Sequence, residues 1–311
     1  MAGSLRSMSI LVTGGAGFIG SHLVDELIAR GARVSVIDNL STGSIGNVNV
    51  KSIFYNTDIR SKKVRNVFES QRPQIVFHLA SNTDVPGSVR SPAEDANQIL
   101  DALNILDNCR SFKVKRLLFT SSGFVYGNTS ARPIKEDAPF QPVSPYAISK
   151  SSIESYIVFY KNVYSLDYAI LRLATIYGPR QVHGAMNDYI EKLSKNNQAD
   201  IYGDGSKTRD YVYVVDAVEA LIGALDLPPD SVHRIFNVGS GIETSLNDIY
   251  FKIAHLIGKT AAPNYRPDRR GELYGYSLDY SLAKKFLKWR PVTDLEQGLR
   301  LTLKDRGLIE K

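Results

Sequence analysis

Cysteine is nearly absent from this chain of 311 residues: there is one, Cys109. That excludes an intramolecular disulfide and any cysteine-cluster metal site, and leaves Cys109 as a small apolar residue in a helical stretch. No run approaches the ~18 consecutive apolar residues of a transmembrane helix, and the N-terminus lacks an apolar segment with a cleavage site, so the expected location is the cytoplasm, with no membrane partner. Residues 1–7 have no periodic pattern and precede a second methionine, Met8; they read as a flexible leader. Charge of one sign is not concentrated either. The 38 Lys and Arg exceed the 32 Asp and Glu to give a net charge of +6, but the cations are scattered among acids, which argues for an anionic small molecule rather than a nucleic acid. Repeats, low-complexity tracts and metal-ligand spacings are missing, and no metal is expected. What is present, 43% hydrophobic and 23% charged residues, suits one large α/β domain or one domain with a smaller lobe.

The first legible unit is strand, glycine turn, helix. Ser9 to Thr13 is apolar and β-branched, Gly14, Gly17 and Gly20 follow at GxxGxxG spacing, and a helical pattern runs from Ser21 to Arg30 with Leu23, Leu27 and Ile28 on its apolar face. Gly14 suits a tight turn, Gly17 lets backbone approach a pyrophosphate and Gly20 permits close helix-to-strand packing, while the helix N-terminus faces phosphates with free N–H groups. The next strand, Arg33 to Ile37, ends in Asp38, 24 residues after Gly14, about where a dinucleotide fold places the acid that binds the adenosine ribose. A carboxylate there repels a 2′-phosphate, and Asn39 to Gly43 offers no arginine, so NAD is expected over NADP.

Further strands are expected at Ser52 to Asn56, Gln74 to Leu79, Arg116 to Thr120 and Tyr168 to Leu173, with a helix from Pro92 to Cys109. The fold class is therefore α/β, a doubly wound parallel sheet (Rossmann) of at least six strands. Asp58 has two readings that spacing leaves open, acceptor for the adenine amino group or cap of a helix starting at Arg60. His78 reads as a satisfied core histidine. Ser144 and Pro145 suit a helix start, and Tyr146 and Lys150 then stand at i and i+4 on one face. A fixed cation beside a phenol favours phenolate and moves it toward the range of a working base; the plainer reading is an amphipathic surface pair. Past Gly178 the alternation weakens. Short strands (200–202, 210–213, 235–238) and helices (187–194, 215–225, 246–257, 281–287, 294–306) suit a smaller C-terminal α/β substrate lobe. Its loops, Gly203 to Arg209 and Arg266 to Glu272, carry cations fit for phosphate. The expected division is a dinucleotide-binding domain over 8–175, with later segments possible in it, and the lobe over 176–311.

Assembled, these residues resemble the extended short-chain dehydrogenase/reductases, and within them the nucleotide-sugar epimerases typified by UDP-glucose 4-epimerase. The resemblance runs from Met8 to the last helix. Beyond the glycine turn and Asp38-Asn39-Leu40-Ser41-Thr42-Gly43, it rests on His78-Leu79-Ala80, Ser121 to Gly127, Tyr146 to Lys150, Leu171 to Arg180, Gly203-Asp204-Gly205 with Arg209-Asp210-Tyr211, and Asn237-Val238-Gly239. It implies that Tyr146 is the catalytic base, that Lys150 holds the nicotinamide ribose and lowers the Tyr146 pKa, and that Ser122 binds the hydroxyl being oxidised. It further implies NAD contacts from Gly14, Gly17, Phe18, Ile19, Asp38, Asn39, Ser41, Thr42, Gly43, Asp58, Ile59, Leu79, Ala80 and Ser121 as well as Tyr146 and Lys150. Substrate contacts fall to Ser122, Tyr146, Thr175, Arg209, Arg270, Glu272 and Tyr276. The implied activity is NAD-dependent C4 epimerisation of UDP-galactose to UDP-glucose through a 4-keto sugar. A homodimer is implied through the helices after Pro92 and Tyr146.

The chain departs from its relatives in places. Dehydratases follow the catalytic hydroxyl with Asp-Glu, and decarboxylases usually keep the Glu; here Gly123 and Phe124 stand there, which disfavours both. Thr175 replaces an Asn that in many epimerases contacts the diphosphate. Tyr276 occupies the position that gates N-acetylated sugars, so glucose and galactose are expected over their N-acetyl forms. The alternatives are a nucleotide-sugar 4-ketoreductase or another epimerase or decarboxylase of the group, which share Ser122, Tyr146 and Lys150, and a non-catalytic dinucleotide sensor, which would need none of the three.

Overall fold

A computed structural model describes residues 5–310. Its frame is a parallel sheet whose strands show period-two burial on both faces. In β1 (Ser9–Thr13), Ile10 and Val12 join the core on one side and Leu11 the core on the other. Following β1 come α1 (Phe18–Ala29), β2 (Arg33–Asp38), β3 (Ile53–Asn56), α2 (Lys63–Gln71), β4 (Ile75–His78), α3 (Val85–Arg90) and α4 (Pro92–Ser111). Then come β5 (Arg116–Ser122), α5 (Pro145–Tyr164), β6 (Asp167–Leu173), β7 (Thr175–Tyr177), α6 (Ala185–Ser194), β8 (Asp200–Tyr202), β9 (Thr208–Tyr213) and α7 (Val214–Gly223). The chain closes with β10 (Ile235–Val238), β11 (Glu243–Ser245), α8 (Leu246–Leu256), β12 (Asn264–Arg266) and α9 (Leu295–Asp305).

The seven-stranded sheet has the order β10-β6-β5-β4-β1-β2-β3. Strand order reverses between β1 and β4, and the crevice outside their carboxyl ends is where an open α/β sheet takes its ligands. Leu23, Val24 and Leu27 of α1 cover one face together with α7; α2, α4 and α5 cover the other. A three-stranded sheet, β11-β9-β7, and a pair, β12-β8, build the smaller C-terminal part.

Several elements differ from the sequence reading. The helix after the glycine turn begins at Phe18 rather than Ser21, because Gly17 is itself the extended N-cap. The helix expected from Arg60 begins at Lys63, after a turn closed by Ser61 N–H to the Asp58 carbonyl at 2.9 Å. Strand β10, read as part of the smaller lobe, pairs in parallel with β6 and extends the main sheet, and α7 returns to α1, where Glu219 meets Arg30. Of the expected leader, residues 1–4 lie outside the described residues. Leu5 is buried and donates its N–H to the Arg30 carbonyl at 3.2 Å, so the packed chain starts before Met8. No described helix is long and apolar enough to cross a membrane.

Candidate active site

The site grows from the carboxyl ends of β1, β2, β4 and β5. Gly14 turns the chain with φ of +74°, and an added Cβ there would lie 2.7 Å from the Ala80 amide nitrogen, so the turn is pressed against the end of β4. At Gly20 a Cβ would sit 2.1 Å from the Gly14 carbonyl oxygen, which lets α1 start directly over the turn. Gly17 caps α1 without a side chain, and no acid occupies the first turn, so the N–H groups of Phe18 and Ile19 face outward free of a side-chain acceptor. Asp38 closes this edge. Its carboxylate accepts from Ala16 N–H at 3.0 Å and Leu40 N–H at 2.8 Å, one bond on each oxygen, and each oxygen keeps acceptor capacity. Gly43 packs against the same carboxylate, while Asn39, Ser41 and Thr42 are exposed beside it. A cradle that a Cβ would fill, an uncapped helix start and a fixed carboxylate together fit a dinucleotide.

Asp58 bonds within the protein through both oxygens, each of which, as at Asp38, keeps acceptor capacity. One oxygen accepts from Arg60 N–H at 2.8 Å and the other from the Asn39 amide at 3.0 Å, which ties the loop after β3 to the loop after β2. Of its two readings the structure favours a turn cap, though of a turn and not of α2. Ile59, Leu79 and Ala80 lie half-buried at the same edge. His78 is a satisfied core histidine: Nδ1 pairs with the Thr13 hydroxyl at 2.7 Å, its ring stacks on Phe119, and burial drives its pKa down to about 3.

The second half of the site is α5 against β5. Ser144 caps the helix by accepting from Ala147 N–H at 3.3 Å, and Pro145 occupies the first turn, where its missing N–H costs nothing. Tyr146 and Lys150 then face β5. The phenol faces the Ser122 hydroxyl, which accepts from Phe124 N–H at 3.2 Å, and the ammonium donates to the Thr120 carbonyl at 2.9 Å and lies 5.8 Å from the Tyr146 ring centre. All three are buried. Their electrostatics differ from the sequence expectation. Burial pushes the Tyr146 phenol up to about 12 despite the Ser122 contact, and burial also pulls Lys150 down to about 8. In the protein alone, desolvation outweighs the Ser122 contact, and Tyr146 is a phenol at neutral pH.

A model of the NAD dependent epimerase/dehydratase family matches residues 10–239. The chain belongs to that family. A UDP-glucose 4-epimerase of Mycolicibacterium smegmatis is 38% identical, over 95% of this chain and 97% of the relative. Two solved structures are similar throughout. One is a UDP-glucose 4-epimerase with UDP-glucose from Thermotoga maritima (40% identity, TM-score 0.93, 96% of this chain and 99% of that one). The other is a UDP-glucose 4-epimerase with NAD from Thermus thermophilus (38% identity, TM-score 0.91, 97% and 100%). The family is NAD-dependent.

Across from Tyr146 stands an aromatic wall that the family's dehydratases are expected to lack. Phe124 meets Tyr146 edge to face at 6.3 Å and Tyr276 at 5.7 Å. A Cβ at Gly123 would lie 2.8 Å from the Tyr276 ring, so an acid at that position and this tyrosine exclude each other. Tyr276 is fully buried, its hydroxyl paired with Thr175 at 3.0 Å and its pKa raised by burial. Thr175 is thus spent on the wall instead of pointing freely outward. Arg209 donates to the Thr208 and Leu273 carbonyls at 2.8 and 3.0 Å, and its cation lies over Phe124. Farther out, Glu272 pairs with Lys207 at 3.3 Å, and Arg270 is exposed.

Four contributors escaped sequence reasoning. Ser88 of α3 accepts from Tyr146 N–H at 3.2 Å, and Asp95 of α4 accepts from the Ser149 hydroxyl at 2.7 Å behind the Tyr–Lys face. Lys207 is buried and joins Asp268 at 2.9 Å, which locks the two lobe loops together. Glu154 binds Ser121 and Arg172; its spacing of eight from Tyr146 was the available signal.

Proposed function

We propose that this protein interconverts UDP-galactose and UDP-glucose by NAD-dependent inversion at C4, through a 4-keto sugar. The observation that carries the reading is Tyr146, Ser122 and Lys150 gathered at the end of β5 beside the glycine turn, with an aromatic wall where a dehydratase needs its acid pair. The names of the similar proteins support it. Bound NAD supplies the hydride acceptor and then the hydride donor. The chain's part is proton handling and positioning. Tyr146 takes the C4 hydroxyl proton and later returns one, Ser122 holds the same oxygen, and the Lys150 ammonium supplies the positive charge that offsets the high pKa of the phenol.

In this reading the glycine turn, Phe18 and Ile19 hold the cofactor's phosphates and Asp38 its adenosine ribose, with Asn39, Ser41 to Gly43, Asp58, Ile59, Leu79, Ala80 and Ser121 lining the rest. Arg209 and Arg270 take the substrate diphosphate and Glu272 the nucleotide, while Thr175 and Tyr276 limit space beside the sugar. Residues 8–175 act as the dinucleotide domain, completed by β10, and the remainder of 176–311 as the substrate lobe. The exposed apolar stripe of Ile148, Tyr156, Phe159 and Val163, with Leu100 of α4, is the proposed homodimer face, and sedimentation of a Phe159→Glu variant as a monomer checks it. A cytoplasmic setting belongs to the same reading. Incubation with UDP-galactose and no reductant, followed by proton NMR of the anomeric signals, tests the function: a mixture with UDP-glucose supports it. Steady consumption of added NADPH would instead indicate a ketoreductase.

A further inference from the structure

Three consecutive residues at the carboxyl end of β5 are each tied to one face of α5. The Thr120 carbonyl accepts from Lys150, the Ser121 hydroxyl donates to Glu154, and the Ser122 hydroxyl faces the Tyr146 phenol. On the helix these partners are i+4, i+8 and i, a single stripe. Two of the three contacts belong to the chemistry proposed above. The third, at Glu154, does not.

Glu154 is 2% exposed and is held by Arg172, itself 3% exposed. The Arg172 Nε reaches both carboxylate oxygens at 3.1 and 3.2 Å, and a terminal nitrogen donates to one of them at 2.7 Å. The other terminal nitrogen donates to the Tyr126 hydroxyl at 2.7 Å and the Glu136 carbonyl at 3.0 Å, and Tyr126 passes its own proton to Asn237 at 2.7 Å. Ser121, Arg172 and Asn237 stand side by side in register across β5, β6 and β10. A buried ion pair adds little net stability over apolar residues of the same volume. Stability alone therefore gives no reason for a carboxylate one turn beyond Lys150.

We propose that Glu154, clamped by Arg172, is a positioning residue: through Ser121 it fixes the end of β5 against α5, and it is the buried counter-charge that keeps Lys150 an ammonium. The proposal rests on the roles given to Tyr146 and Lys150 under the proposed function. Burial lowers Lys150 to about 8, and Glu154 is the foremost charge opposing that fall, with Asp95 of α4 second. Tyr146 on its own helix and neutral His78 of β4 also face the ammonium, and the Arg172 guanidinium of β6 lies on the far side of the Glu154 carboxylate.

Side-chain NMR of the full-length protein labelled on lysine, with K150R to assign the signal, follows the Lys150 titration in wild type, E154D and E154Q; initial rates with UDP-galactose against pH follow turnover. E154D should titrate as wild type. In E154Q the proton affinity of Lys150 should fall about tenfold, and kcat should fall with its alkaline limb moved to lower pH while KM holds. E154Q leaves Arg172 without a counter-ion; if it does not fold, R172M, which frees the Glu154 carboxylate from its guanidinium, should instead raise the proton affinity of Lys150. An unchanged Lys150 titration in whichever of E154Q and R172M folds overturns the proposal. That readout needs no turnover, so absent conversion by wild type together with a shifted titration upholds the role of Glu154 and counts against the proposed function alone.

Discussion

The two sides of the site are built differently. The proposed reaction side is the seam between β5 and α5, where Tyr146, Lys150, Ser122 and Glu154 are buried and each has a protein partner within the sheet or helix layer. The proposed nucleotide side is made of loops, 203–209 and 266–276, with Arg270 exposed and Lys207 and Arg209 stitching one loop to the other. Rigid, desolvated groups suit chemistry, which needs fixed geometry at the reacting atoms. Loops suit recognition, because they order around a ligand and can be rebuilt without disturbing the sheet. The contrast predicts that substitutions in the seam change kcat and substitutions in the loops change KM.

The largest expected effect is at Tyr146. Tyr146→Phe keeps the ring against Phe124 and removes the proton carrier, so kcat should drop roughly 10²–10⁴-fold with the melting temperature and bound NAD unchanged. Equal turnover by the variant would remove the seam's role altogether. Gly20→Ala comes next: its Cβ would fall 2.1 Å from the Gly14 carbonyl oxygen, and overpacking of this kind costs about 1–3 kcal/mol, readable as a lower midpoint in urea together with lost NAD retention. Arg270→Ala tests the other side of the contrast. It should raise KM for UDP-galactose about tenfold and leave kcat within about twofold; a matched loss in kcat would mean that the loop reaches the chemistry.

Two further effects are read against pH. Lys150 has a folded pKa lowered to about 8, so its ammonium is lost above that value and kcat should decline there, well before an exposed lysine would titrate. For stability the sign is opposite: the unfolded chain binds the additional proton between about 8 and the ordinary lysine value, so raising pH through that window removes a penalty on folding. His78, lowered from 6.5 to about 3, gives the converse at acid pH. Its unfolded form takes up the proton first, so stability should fall by about 1 kcal/mol per pH unit from 6.5 toward 3, and His78→Asn should flatten that limb of a urea-denaturation series.

Which parts were legible in the sequence follows from the range of the interactions. The glycine turn, Asp38 and the capped helix carrying Tyr146 and Lys150 are set by neighbours a few residues apart, and each stands where its spacing put it. Helix starts were missed by three residues where a cap lay in the backbone: Gly17 caps α1 with no side chain to announce it. Strand β10 was read among the lobe's strands, with a return of later segments to the main sheet left open, because its place beside β6 depends on a partner 65 residues away, Asn237 opposite Arg172. Burial was invisible as well. A tyrosine four residues before a lysine suggests a lowered phenol pKa, but burial of the pair, which raises the phenol and lowers the ammonium, comes from elements distant in sequence closing over both. Asp95 was missed for the same reason: on a helix, a carboxylate facing solvent and one facing the sheet are spelled alike, whereas Glu154 could have been placed on the sheet-facing stripe by its spacing of eight from Tyr146.

The measurement that bears most directly on the account is a proton NMR time course of UDP-galactose with wild-type and Tyr146→Phe protein side by side, no reductant added, both retaining their NAD. The account predicts that the wild type brings the anomeric signals to a mixture with UDP-glucose while the variant leaves them unchanged over the same period. Conversion at equal rates by both proteins, or by neither, would contradict it.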